Sequence, residues 1–152
     1  MKARVELKLE GSMDHLRLAW QTGETLLASV PFAEDPDGIR YNVLLSVQEL
    51  LTNILRHGYS GDDTGPVQIV MEASPDGFSV ELRDRGIAFD PLQHVRSDVE
   101  EGVPIEPGGY GLVIVRMVMD ELNYRREDGW NVLTLSKSVH AGVAATATGA
   151  QA

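Results

Sequence analysis

At 152 residues the chain suits a single domain, and 13 basic against 23 acidic residues leave a formal charge of −10, which repels nucleic-acid backbone and argues against DNA or RNA as partner. There is no cysteine, which excludes disulfides, thiolate nucleophiles and cysteine-ligated metals. No apolar run approaches the roughly 18 uncharged residues of a membrane-spanning helix, and the amino terminus lacks a hydrophobic signal core, so a cytosolic protein with no membrane partner is expected.

Residues 2–10 alternate apolar and polar side chains (Val5, Leu7, Leu9) as a half-buried strand does. Ser12 or Asp14 can cap a helix carrying Leu16, Leu18, Ala19, Leu26 and Leu27, with Gly23 as a point of interruption, and Pro31, Pro36 and Gly38 punctuate the loop after it. The clearest helix runs over 39–57. At 100° per residue, Val43, Leu44, Val47, Leu50, Leu51, Ile54 and Leu55 form one broad apolar face, and Asn42, Ser46, Glu49, Asn53 and His57 fall opposite. Gly58 ends it, and 60–66 is a loop.

Strands over 67–74 and 78–83 flank Pro75-Asp76-Gly77, which reads as a hairpin turn with glycine at a left-handed position. The long irregular stretch 85–109, rich in proline and glycine, has the character of a functional lid. A further helix is predicted from Tyr110 or Gly111 to Leu122, with Leu112, Val115, Met119 and Leu122 facing inward. Strands over 123–126 and 130–136 meet at Asp128-Gly129, a second hairpin signal. The expected domain is 1–138. The tail 139–152, with small side chains and little to anchor it, is expected to be disordered. Hairpin-joined strands with grouped helices predict an α+β two-layer sandwich: a mixed, mostly antiparallel sheet covered on one face by helices.

Three groups of residues carry chemistry. Glu49 and Asn53 stack on one helical face, with His57 a turn further. A carboxylate and an amide oxygen so placed suit magnesium bridged to phosphates, and the carboxylate can also take a proton from an attacking hydroxyl. Taken alone, such a face is more often simply solvated. Asp84-Arg85-Gly86 follows a strand: the aspartate can accept from an exocyclic amine, and the glycine lets a flat base approach, although a plain turn uses the same residues. Pro107-Gly108-Gly109-Tyr110-Gly111-Leu112 opens a helix whose free N–H groups and dipole suit phosphate, without matching the P-loop or the dinucleotide fingerprint. A cation and backbone N–H groups would let so acidic a chain hold a polyphosphate. The three groups in this order, over about sixty residues, are far rarer than any one of them.

Together these motifs resemble the GHKL (Bergerat-fold) ATPase superfamily, over roughly residues 3–137. The run from Glu49 through Asn53 and His57-Gly58 to Tyr59 is similar to its N box, Asp84-Arg85-Gly86-Ile87-Ala88-Phe89-Asp90-Pro91 to its first glycine box, and Gly108-Gly109-Tyr110-Gly111-Leu112 to its second. Glu-Leu-Leu-Thr-Asn followed by His-Gly-Tyr, and Gly-Gly-Tyr-Gly-Leu followed by Met-Asp-Glu-Leu, resemble the anti-sigma-factor serine/threonine kinase branch. The resemblance implies ATP and Mg²⁺ as cofactors, a STAS-domain anti-anti-sigma factor as substrate, a sigma factor or other regulator as second partner, and a homodimer as a common state.

By position it implies that Glu49 is the catalytic base and Asn53 the magnesium ligand. Asp84 would bond the adenine amine over Gly86, and Gly108, Gly109, Gly111 and Leu112 would form the lid and phosphate-facing helix start. Thr134 would lie near the adenine, sharing a water with Asp84, and His57 would stand on the phosphate side or cap the helix. Two departures stand out: Ala88 replaces a glycine common in the superfamily, and Glu106-Pro107 precede the second glycine box where some members carry a cation. Arg85, Arg96 and Arg116 are the alternative cations. The competing function is a nucleotide-dependent binding module that sequesters a regulator without transferring phosphate. A histidine kinase, which needs an acceptor histidine on a dimerising hairpin, fits less well.

Overall fold

The alternation at the amino terminus becomes β1 (Ala3–Glu10), in which Ala3, Val5, Leu7 and Leu9 turn inward and the charged residues between them turn to solvent. The computed structural model describes residues 2–10, 12–58, 65–91 and 110–140, the side chains at 57, 58, 110 and 111 excepted. β1 pairs along its length with β2 (Pro66–Ser74), and β2 forms a hairpin with β3 (Gly77–Asp84). β3 pairs with β5 (Trp130–Ser138), and β5 with β4 (Glu121–Glu127), so the sheet order is β1-β2-β3-β5-β4. Every pairing is antiparallel, so the parallel component of a mixed sheet is missing among the described strands.

The two hairpins turn differently from each other. At Asp128-Gly129 both residues have positive φ, 52° and 83°, as the right-handed twist of the strands favours. At Pro75-Asp76 the proline ring fixes φ near −65° and excludes such a turn. Gly77 is therefore not left-handed, contrary to the sequence expectation; it opens β3, and glycine is needed there because a Cβ would run into the Lys137 carbonyl oxygen of β5.

Helix α1 (Leu16–Leu27) is entered through a 3-10 turn at Met13–His15, where Ser12 Oγ accepts from the Asp14 N–H at 3.2 Å. It runs unbroken through Gly23, which is buried where a Cβ would stand 2.9 Å from Leu44 Cδ2 of the next helix; close helix packing, not a break, accounts for this glycine. Helix α2 (Pro36–Asn53) starts three residues ahead of the expected Ile39, because Pro36 takes the first helical position and Asp35 Oδ1 accepts from the Gly38 N–H. Arg40 on α2 donates from Nε to the Leu27 carbonyl at 3.0 Å and from Nη2 to that of Val30 at 2.9 Å, a second bond to oxygens that already accept the Val30 and Phe32 N–H groups, and so ties α2 to the turn after α1. Arg40→Ala is expected to destabilise the fold by about 2 kcal/mol in a urea titration, and Arg40→Lys, lacking the fork, should recover little of it.

Helix α3 (Tyr110–Val118) ends before Leu122, which the sequence pattern had placed on it. Asp120 stops the helix: its N–H goes to Ser136 O, Oδ2 accepts the Ser138 N–H at 2.7 Å and Oδ1 meets Lys137 Nζ at 3.1 Å. Leu122 instead pairs with Leu135 on the sheet. The helices cover one face, burying Leu27, Val43, Leu50 and Leu51 against Ile69, Met71, Leu82 and Leu135, and α3 packs on α2. Val139 is buried and donates its N–H to Asp76 O, so ordered packing passes the expected end at 138; residues 141–152 of the expected tail lie outside the described residues. No helix among the described residues is long and apolar enough to cross a membrane.

Candidate functional site

The polar stripe of α2 is not a solvated face. Asn42 is exposed, but Glu49 and Asn53 are half-buried and Ser46 is fully buried, its hydroxyl satisfied by the Asn42 carbonyl at 2.9 Å. Asn53 is the last α-helical residue. The chain then widens into a π turn (Ile54–Gly58), and the Ile54 N–H is shared between the carbonyls of Leu50 and Leu51. The expected regular helix to His57 therefore breaks at Asn53, and the four-residue stacking that would carry His57 on from Asn53 no longer applies.

Leu50, Asn53 and Ile54 form one wall of a cavity of about 60 Å³. The opposing wall comes from the sheet and the loop after β3: Asp84, Ile87, Phe89, Pro91, Tyr124, Asn131 and Leu133. Ile87 and Phe89 of this opposing wall are exposed.

Asp84 is 3% exposed, and its register opposite Asn131 turns it inward with Leu82 and Leu133. Oδ1 accepts the Gly86 N–H at 2.9 Å and Asn131 Nδ2 at 3.0 Å, neither bond uses Oδ2, and Asp84 lines the cavity. Burial raises the Asp84 carboxyl above its ordinary range; the bonds from Asn131 and Gly86 and the Arg126 charge oppose this and are outweighed. A buried carboxylate oxygen between apolar walls can select a flat heterocycle with an exocyclic amine.

The structure brings Asn53, Asp84 and Gly86 together and sets Glu49 one turn before Asn53, outside the lining of the apolar cavity. Leu112 is buried in the core and does not line the cavity. Gly111 is the second residue of α3, whereas Gly108, Gly109 and Arg96 lie outside the described residues, as does the side chain of His57. Arg116 is exposed on α3, and Arg85 lies over Trp130 at 5.2 Å from the ring centroid.

The expectation for Thr134 is corrected. It pairs with Glu81 and Asn123 on the outer sheet face, where it lines a shallow groove with Arg4 and Ser136, and it cannot share a water with Asp84 through the sheet. The residue of β5 beside Asp84 is Asn131, which sequence reasoning missed along with Tyr124 and Arg126. A signal was present: Asn131 shares parity with Leu133 and Leu135, a polar residue in an inward-facing series.

A buried carboxylate on the sheet thus faces an amide on a helix across a mainly apolar cavity of an α+β sandwich, a layout that can take a flat heterocycle. Residues 10–137 match the family model of the histidine kinase-like ATPase domain. The chain is 31% identical over 99 residues to the serine/threonine-protein kinase BtrW of Bordetella bronchiseptica, covering 64% of this chain and 70% of the relative. It is 28% identical over 91 residues to the serine-protein kinase RsbW of Oceanobacillus iheyensis, covering 56% of this chain and 57% of that one. The anti-sigma F factor of Clostridium beijerinckii is 29% identical over 89 residues, 58% of this chain and 62% of its own. The aligned segments thus span well under two-thirds of RsbW, somewhat under two-thirds of the anti-sigma F factor, and just over two-thirds of BtrW. The fold matches the crystal structure of the RsbU and RsbW domains of Rv1364c from Mycobacterium tuberculosis, with a TM-score of 0.60 at 15% identity over 88% of this chain and 32% of that one. The chain belongs to the histidine kinase-like ATPase family, and its relatives there carry the names of serine-protein kinases and anti-sigma factors. ATP use comes with that family.

Proposed function

We propose that this chain is a cytosolic anti-sigma factor with serine/threonine protein kinase activity. It transfers the γ-phosphoryl group of Mg-ATP to a hydroxyl of a STAS-type anti-anti-sigma partner and holds a sigma factor or comparable regulator when that partner is released. The observation carrying this is the cavity that Asp84 and Asn53 line from opposite layers, in a chain whose relatives are named for these activities.

Asp84 Oδ2 would receive the adenine amine while Leu50, Ile54 and Leu133 supply apolar walls. Asn53 would offer its amide oxygen to magnesium, a donor that suits a cation keeping phosphate oxygens and waters as its other ligands. Among the described residues no group of three or more His, Asp or Glu side chains forms a rival metal site. Magnesium, when bound, offsets the phosphate charge. Glu49 takes the proton of the partner's hydroxyl as that oxygen attacks the γ-phosphorus; the bond to the β–γ bridging oxygen breaks and ADP leaves. Gly108, Gly109 and Gly111 would allow the backbone to close on the phosphates at the start of α3, with Leu112 anchoring that helix in the core and His57 on the phosphate side.

Labelled ATP incubated with the chain and its cognate STAS protein tests the reading. Label on a serine or threonine of that protein is expected, and none, under conditions where ATP is bound, would refute it.

A further inference from the structure

Asn131 is 5% exposed and has every hydrogen-bonding capacity of its amide engaged. Nδ2 donates to Asp84 Oδ1 at 3.0 Å and to the Ile87 carbonyl at 2.8 Å. Oδ1 accepts from the Tyr124 hydroxyl at 2.6 Å and from Arg126 Nη1 at 2.9 Å. The orientation of this amide follows from chemistry: a guanidinium only donates, so oxygen must face Arg126, and the NH₂ group is left for a carboxylate and a carbonyl, which only accept. Arg126 Nη1 also reaches the Gly86 carbonyl at 2.8 Å. Two strands thus hold both carbonyls of the Gly86–Ile87 turn and one oxygen of Asp84.

We propose that Asn131 is a positioning residue for base selectivity: by occupying Oδ1 and pinning the Gly86–Ile87 backbone, it presents Oδ2 to the ligand and makes the site prefer a 6-amino purine over a 6-oxo purine, with Tyr124 and Arg126 of β4 fixing its own orientation. The inference rests on Asp84 being the acceptor for the base. A fixed carboxylate oxygen meets the 6-amino group as a donor but faces the 6-oxo group oxygen to oxygen, and a site built to pair a polar group rejects the analogue lacking it far better than an apolar pocket rejects a change of size. Without the Asn131 amide, Asp84 is free to rotate and the turn to shift, and the preference goes with them.

The test is the ratio of dissociation constants for inosine triphosphate and ATP, measured calorimetrically on the full chain. The wild type should prefer ATP by about 10- to 100-fold. Asn131→Ala should weaken ATP about tenfold, hardly change inosine triphosphate and so bring the ratio down about tenfold. Tyr124→Phe, which keeps the ring and removes one hydroxyl, should lower the ratio about threefold. Equal weakening of both nucleotides in Asn131→Ala would make the residue merely structural and overturn the inference; should that variant fail to fold, an unchanged ratio in Tyr124→Phe overturns it instead. Asp84→Asn separates the two readings: a wild-type ratio there refutes Asp84 as the base acceptor itself, whereas a lost ratio there beside an intact one in Asn131→Ala refutes only the positioning role.

Discussion

Glu49→Gln is expected to lower the single-turnover rate of phosphoryl transfer by about 100- to 10,000-fold while leaving ATP affinity within about threefold of wild type. The substitution keeps the shape and half-burial of the side chain and removes only its ability to take a proton. Asn53, the residue proposed to meet magnesium, is untouched one turn away, and the cavity lining does not include Glu49, so binding and chemistry should separate. The same variant decides between a kinase and a sequestering module. If partner release depends on transfer, Glu49→Gln locks the regulator in place at any ATP concentration; if release proceeds as in wild type, phosphoryl transfer is not what drives it.

Asp84→Asn should weaken ATP by about 10- to 100-fold, since a donor NH₂ replaces the acceptor facing the adenine amine and a charge-assisted bond is lost. Its effect on the unliganded fold runs the other way. The Asp84 carboxyl is raised in the folded state, so its contribution to stability is fully present below the ordinary carboxylate range and is lost as pH rises through the raised value. At neutral pH the wild type therefore bears the burial of a carboxylate that asparagine avoids, and an amide oxygen can still accept from Gly86 and Asn131. The variant should melt above wild type at neutral pH, with the gap closing as pH falls into the ordinary carboxylate range. A variant that melts lower at neutral pH, yet keeps its ATP affinity, would contradict both halves of the argument. The pairing of weaker binding with higher stability is the mark of a residue kept for ligand recognition.

How much of this was legible in the sequence differs by residue, for physical reasons. Glu49, Asn53, Asp84 and Gly86 could be read because local geometry places them: a four-residue helical repeat and a strand end are set by near neighbours. Whether the stripe through Ser46, Glu49 and Asn53 was solvated could not be read, because tertiary packing around α2, and not the period of the helix, decides it. Thr134 failed for a related reason. Its distance along the chain from Asp84 says nothing about which face it takes, and a strand's parity is fixed by its partner's register. The helix expected to reach Leu122 ended at Val118 because Asp120 finds its partners on β5, far away in sequence.

Short-range periods and turns were enough to read the order of elements, both hairpins and the apolar face of the long helix from the chain alone. Long-range packing settles that the helix turns to π after Asn53, that Asn131 and not Thr134 stands beside Asp84, and that Tyr124 and Arg126 complete its surroundings. These depend on which strands pair and in what register, and antiparallel pairing between β3 and β5 joins Asp84 to Asn131, 47 positions apart.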